Sequence, residues 1–238
     1  MAYLMSLGTV DYQVGLGLQE RLWAARVRDE IGDSLLLLEH PPVLTLGRRG
    51  ERRNLLVSED ELARLGIKVY QVERGGDITY HGPGQLIGYP IFRLKNGLLG
   101  VRQFVENVEQ ALIIALSQFG IKAGIRQKMI GVWAGEHKIA SIGIAVRNGV
   151  TLHGFALNFG PDLSGFQLIN PCGLKPELMT AIAIELKRPV IREEVEGAVL
   201  NGFEQVFNIK FQRNLPRILT TLTNLASSVC IRCASFRQ

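Results

Sequence analysis

Cys172 sits in the turn Asn170-Pro171-Cys172-Gly173-Leu174, and Lys138 lies in the run Gly131-Val132-Trp133-Ala134-Gly135-Glu136-His137-Lys138-Ile139-Ala140-Ser141-Ile142-Gly143. A thiol near its ordinary pKa of about 8.5 is mostly protonated at neutral pH, and the thiolate is the nucleophile. A nearby ammonium lowers that pKa, and a neutral amine can take the proton. Thiol plus lysine is therefore an apparatus for moving an acyl group. A lone cysteine is otherwise a small buried apolar residue. Pro171, with its fixed φ, and the permissive Gly173 favour a thiol projecting from a sharp turn whose amides can face an oxyanion. Taken alone, the turn balances the two readings.

A second stretch, Arg74-Gly75-Gly76-Asp77-Ile78-Thr79-Tyr80-His81-Gly82-Pro83-Gly84-Gln85-Leu86, follows a predicted strand. Its glycines let backbone approach a ligand, although a plain loop explains them equally well. Neither the phosphate-cradling GxxxxGK[ST] nor GxGxxG occurs, so no nucleotide site is predicted. His81 and His153 each precede a glycine near a predicted strand end, where either can be a base, a ligand or a loop-bonded side chain. The four histidines lack zinc spacing, and no metal is expected. By residue type Lys138 reads as a surface lysine, His137 as its solvated neighbour, and Asn158 and Asp162 as turn residues.

These residues need a scaffold. The chain has 238 residues, 47% hydrophobic and 7% aromatic, which suits one large domain with an aliphatic core. Helices are predicted over 13–31, 101–119 and around 191–207, with a short capped helix after Ser58. Strands are predicted over 34–39, 43–47, 67–72, 139–146 and 150–158, and Asn148-Gly149 marks a hairpin. Without regular βαβ alternation, the order predicts α+β with an antiparallel or mixed sheet. From about Lys210 the character changes, giving an expected core of 1–210 and an extension of 211–238. Cys230 and Cys233 have redox spacing but no second pair for zinc.

Lysine and arginine total 27 against 22 acids, a net charge of +5. That excess suits acidic partners, but no nucleic-acid motif accompanies it. No apolar run is long enough for a membrane span or a secretory signal. An odd set of three cysteines favours a reducing cytoplasm over a disulfide framework.

Taken jointly, Arg74 to Gln85, Gly131 to Gly143, His153-Gly154-Phe155-Ala156-Leu157-Asn158 and Pro171-Cys172-Gly173-Leu174 resemble the octanoyltransferase family of lipoate biosynthesis, over roughly residues 5 to 210. Asp77 and Ile78 fall where the family's pattern is loose. The resemblance implies the lipoate ligase/biotin ligase fold, a mixed, largely antiparallel sheet with packed helices. It also implies octanoyl transfer from acyl carrier protein to a lysine on lipoyl domains of 2-oxoacid dehydrogenases and the glycine cleavage H protein. Cys172 matches the acyl-thioester nucleophile and Lys138 the lysine that lowers its pKa. Arg74, Gly75, Gly76, Asp77, Ile78, Thr79, Tyr80, His81, Ser141, Ile142, Gly143, Gly154, Phe155 and Ala156 match substrate-contacting segments. No cofactor is implied, and a monomer is expected. Amides around Cys172 and Gly75-Gly76 are nominated for the oxyanion, and Gly143 and Gly154 for an open acyl slot. The rival readings are an ATP-dependent lipoate–protein ligase, an amidotransferase between lipoyl domains, and a non-catalytic lipid-binding scaffold.

Overall fold

The run Leu35-Leu36-Leu37-Leu38 has no amphipathic period, and in the computed structural model all four side chains are fully buried. They lie on β2 (Asp33–Glu39), a central strand covered on both faces, as an unbroken apolar run requires. The structure describes residues 1–94, 100–171 and 176–213. Cys172, Gly173, Leu174, Cys230, Cys233 and the rest of the extension from 214 lie outside the described residues.

Around β2 runs an eight-stranded mixed sheet. It contains β1 (Ala2–Thr9), β6 (Gln85–Ile91), β7 (Ala123–Arg126), β8 (Met129–Ala134), β9 (His137–Arg147), β10 (Val150–Asn158) and β11 (Phe211–Gln212), in the order β11-β1-β2-β6-β10-β9-β8-β7. Only the β11–β1 and β1–β2 pairs are parallel. A small sheet of β3 (Val43–Leu46), β4 (Lys68–Gln71) and β5 (Ile78–His81) lies beside it. Pro41-Pro42 separates the strands on either side, which belong to different sheets.

Helices cover both faces of the large sheet. Leu18, Leu22 and Ala25 of α1 (Tyr12–Val27) pack with Leu36, Leu38, Ile87, Tyr89 and Ala156. Phe104, Val108 and Leu112 of α3 (Gly100–Ser117) join Val195, Val199 and Phe203 of α5 (Arg192–Phe207) over Leu35, Leu37, Phe155 and Leu157. A Cβ on Gly202 would overlap the carbonyl of Ala111, so this glycine sets how closely α5 approaches α3. Short helices α2 (Glu59–Arg64) and α4 (Ile182–Leu186) complete the fold; Ser58 caps α2 by accepting the Glu61 amide at 3.2 Å.

Two expectations shift. The first helix ends at Val27 rather than Ile31, because Asp29 turns the chain at φ 57°. The strands β1, β5, β6 and β11 are additions, and β7 and β8 resolve the β-rich stretch expected between Ile121 and Phe159. The hairpin turn forms as predicted, with Asn148 at φ 49° and Gly149 at φ 72°. Among the described residues no helix is long and apolar enough to cross a membrane.

Candidate active site

A cleft of about 1540 Å³ opens where β9 and β10 meet the loop between β4 and β5. Strand pairing places its floor. Gly143 lies opposite Gly154, Ile142 opposite Phe155, and Ser141 opposite Ala156. All six line the cleft.

The two glycines do a different job from the open slot first assigned to them. A Cβ on Gly143 would stand 2.8 Å from the Gly75 carbonyl oxygen and 2.9 Å from Arg74 Cδ, so the 74–76 loop rests on Gly143. A Cβ on Gly154 would overlap the Gly88 carbonyl of β6. Both residues are therefore needed for close backbone approach. Gly88 in turn carries the Phe155 ring, where any side chain would collide.

Within the 74–81 segment, strand alternation divides the four residues of β5. Arg74, Gly75, Gly76, Asp77, Thr79 and His81 line the cleft. Ile78 and Tyr80 point away into the small-sheet core, Tyr80 with its ring 5.7 Å from Phe166. These two positions of the family segment therefore pack structure and do not face the cleft. Arg74 is buried and clamps the small sheet, donating from Nη2 to the Thr45 carbonyl at 2.7 Å and to Thr45 Oγ1 at 3.0 Å. Asp77 ties the loop by accepting from the Ile78 amide at 2.7 Å and Asn54 Nδ2 at 2.6 Å. The Gly75 amide donates to the Ile144 carbonyl at 3.0 Å, which removes it from the oxyanion role proposed for it.

Lys138 is 5% exposed, so it is not the surface lysine its residue type suggests. Its ammonium lies 5.8 Å from the centre of the Trp133 ring, the residue paired with it on β8. Gly131, at φ 126°, leaves room for it: a Cβ there would sit 2.6 Å from Lys138 Cε and 3.2 Å from Nζ. The amide of Gly131 donates to Glu109 Oε1 at 2.9 Å. Burial pushes the Glu109 carboxyl upward, and the Gly131 bond and the Lys138 charge pull it back. Glu109 was absent from the sequence reading, although an acid beside Val108 on the apolar side of α3 is the signal that would have found it.

The Lys138 carbonyl accepts the Thr180 amide at 3.0 Å, and Lys138 forms a parallel bridge with Met179. A buried polar chain runs from there to Arg74. Asn158 Nδ2 donates to the Thr180 carbonyl at 3.0 Å, and Gln85 Nε2 to Asn158 Oδ1 at 2.9 Å. His81 Nδ1–H donates to Gln85 Oε1 at 2.8 Å, and His81 Nε2 faces Thr45 Oγ1 at 3.4 Å. Asn158 is thus a link in this network and not merely a turn residue. Satisfied buried networks of this kind rigidify what they connect.

His81 has neighbours that sequence could not place beside it. Tyr12 stacks 6.3 Å from its ring, and His40 lies 6.2 Å away. His40 donates from Nδ1 to the Val10 carbonyl at 2.6 Å and accepts from the Tyr89 hydroxyl at 2.7 Å. His153 stands mid-strand on β10 at φ 57°, with its amide bonded to Gln19 Oε1 at 2.9 Å, and not at a strand end as expected. Burial pushes His40 down to about 4 and both His81 and His153 down to about 3. All three are neutral at pH 7 and take protons on unfolding below the ordinary value near 6.5.

The unfolded chain then binds more protons, so stability rises with pH between about 3 and 6.5 and is lost on acidification. Each histidine adds up to about 1.4 kcal/mol per pH unit within that window. Urea titrations from pH 7 to pH 5 should show the unfolding free energy falling steeply, and His40→Gln should flatten the slope. A pH-independent midpoint would contradict this assignment. Among the described residues no group of His, Cys, Asp or Glu side chains is arranged to hold a metal ion.

The fold and the cleft define the class. A model of the lipoyl protein ligase A/B catalytic domain matches residues 11–204. The chain also superposes on a bipartite lipoate protein ligase of Thermoplasma acidophilum, described together with its E2 lipoyl domain, with a TM-score of 0.71 at 19% identity over 96% of this chain and 91% of that one. A biotin protein ligase of Aquifex aeolicus gives a TM-score of 0.52 at 14% identity over 87% and 70% for its apo form. The chain belongs to the lipoyl protein ligase A/B catalytic-domain family, with the lipoate ligase/biotin ligase fold. Within it, the chain is 49% identical over 203 residues to the octanoyltransferase of Caldicellulosiruptor bescii, covering 84% of this chain and 89% of that one, and it belongs to the octanoyltransferase family of acyltransferases.

Proposed function

We propose that this enzyme moves an octanoyl or lipoyl group from acyl carrier protein to a specific lysine of a lipoyl domain through an acyl-thioester on Cys172. In the first step the Cys172 thiolate attacks the carrier thioester carbonyl. A carbon–sulfur bond to Cys172 forms, the bond to the carrier sulfur breaks, and that thiolate leaves. One thioester replaces another, so no ATP and no cofactor are needed. In the second step the neutral amine of the acceptor lysine attacks the acyl-enzyme, an amide forms, and Cys172 leaves as the thiolate. Lys138 as an ammonium holds Cys172 ionised and gives its proton to the departing carrier thiolate; the amine that remains then accepts the proton the acceptor nitrogen sheds.

The observation that carries this reading is the tie between Lys138 and the segment that follows Cys172. The carbonyl of Lys138, a buried residue of the cleft lining, accepts the amide of Thr180, eight residues past the cysteine. On the other side of the cysteine, the amide of Asn170 is fixed to the Asn54 carbonyl at 2.8 Å. These two bonds fix the described residues on either side of position 172. Ile142, Phe155 and Ala156 offer apolar wall for the acyl chain, whose burial contributes about 0.8 kcal/mol per CH₂. The acceptors suited to the reading are lipoyl domains of 2-oxoacid dehydrogenases and the glycine cleavage H protein. We assign catalysis to residues 1–210 of a monomer working in the cytoplasm, with 211–238 as an extension.

The fold is shared with ATP-dependent ligases, so the donor is the deciding variable. Octanoyl-carrier plus lipoyl domain should give octanoylated lysine without ATP, while free octanoate plus ATP should give none. Turnover from the free acid with ATP would replace this reading with the ligase one.

A further inference from the structure

The edge of the large sheet nearest Lys138 carries an unusual surface. Strand β7 closes the sheet order, and beyond it the described chain offers no partner strand. Ile125 is 63% exposed, Met129 44% and Ile130 52%, and all three lie in the β7–β8 hairpin. Exposed apolar side chains gathered on a sheet edge mark an interaction site or an aggregation hazard. Here they border the cleft and are interleaved with Arg126 and Lys128. Arg49 adds a further exposed cation to the cleft lining.

We propose that the β7–β8 hairpin, with Arg49, is the docking surface for the acyl-carrier donor. Ile125, Met129 and Ile130 would meet apolar side chains of the carrier, and Lys128 and Arg49 its acidic surface and the phosphodiester of its thioester arm. This rests on the transfer reading above. Charge selects the donor over the acceptor. The acceptor arrives as a lysine ammonium, which the cations at the rim, Arg48, Arg49, Arg126 and Lys128, repel, whereas the donor arm is an anion. Geometry agrees. From Met129 the strand β8 leads along about 14 Å of backbone, at ~3.4 Å per residue, to Trp133, the partner of Lys138. A flexible arm docked at the hairpin would run beside it to the cleft floor.

The test uses the full chain carrying Lys128→Glu and Arg49→Glu together, with folding checked by circular dichroism. KM is measured for octanoyl-carrier and for octanoyl-pantetheine, a small thioester without carrier or phosphate. The KM ratio of carrier to small donor should rise at least tenfold, and the salt dependence of kcat/KM for the carrier should weaken, as rim charges govern encounter. Met129→Ser with Ile130→Ser should raise the same ratio. An unchanged ratio, or a KM increase confined to the lipoyl domain, would overturn the docking assignment. Affinity for octanoyl-carrier, measured without turnover, separates the two claims. If wild type binds carrier and the charge-reversed chain binds it equally well, the docking surface is wrong whatever becomes of the transfer reading.

Discussion

Replacing Lys138 with methionine will lower kcat for octanoyl transfer by about 10³-fold while leaving a folded protein. The magnitude follows from removing a group that activates a nucleophile and then moves a proton, which contributes roughly 10²–10⁴-fold in comparable chemistry. The chain stays folded for two reasons. Methionine keeps most of the side-chain volume in the pocket left by Gly131 and Trp133. Glu109, whose carboxyl burial already drives upward, can take a proton once the lysine charge is gone. The loss should be greatest at neutral pH and shrink at alkaline pH, where the Cys172 thiol ionises without help. Steady-state kinetics from pH 6.5 to 9.5 on both proteins checks this; parallel profiles would show that Lys138 does not control ionisation of the thiol.

Gly154→Ala will cost at least about 3 kcal/mol of stability, well above the usual effect of a single methyl group. Gly154 lies on β10 between β6 and β9, and its Cβ would meet the Gly88 carbonyl, with Pro90 Cδ 2.8 Å away. Neither neighbour is the flexible end of a side chain. Relief requires β6 and β10 to part, which would disturb the pairing of Phe155 with Gly88 and of Ala156 with Ile87. Octanoyl transfer should fall with it, since Phe155 and Ala156 line the cleft. Urea denaturation of purified protein reads the effect directly. A loss below 1 kcal/mol, on the scale of an ordinary packing adjustment, would mean the sheet yields more easily than its geometry implies.

How far the sequence carried depended on how local each signal was. The helix α3 and the Asn148-Gly149 turn were legible because apolar spacing and two residue types suffice to define them. The strand β6 was hidden because it contains Gly88 and Pro90, residues that argue against a central strand. Pro90 is tolerated there, and its carbonyl accepts the Thr151 hydroxyl at 2.5 Å. Ile78 and Tyr80 were grouped with the substrate segment because family resemblance runs along the chain, whereas the strand sends alternate side chains to opposite sides. Once β5 is known, period-two alternation assigns both to the core.

Lys138 and the histidines were harder to read for a different reason. Nothing in a lysine's neighbours along the chain reveals that Gly131, Trp133 and Glu109 will surround it. The neutral state of His40, His81 and His153 likewise arises from burial where α1 and two sheets converge, with Arg74 adding to it at His81 and His153. Their chemistry belongs to the tertiary structure, and only the family resemblance pointed to Lys138 in advance.

The central claim is that sulfur at position 172 carries the acyl group. The most direct measurement mixes enzyme with octanoyl-carrier, quenches in acid before acceptor is added, and maps the adduct by peptide mass spectrometry. The account predicts one octanoyl group on the peptide containing Cys172, discharged on adding lipoyl domain and absent from Cys172→Ala. An octanoylated lipoyl domain produced at an undiminished rate by Cys172→Ala, or an adduct elsewhere on the chain, would contradict it.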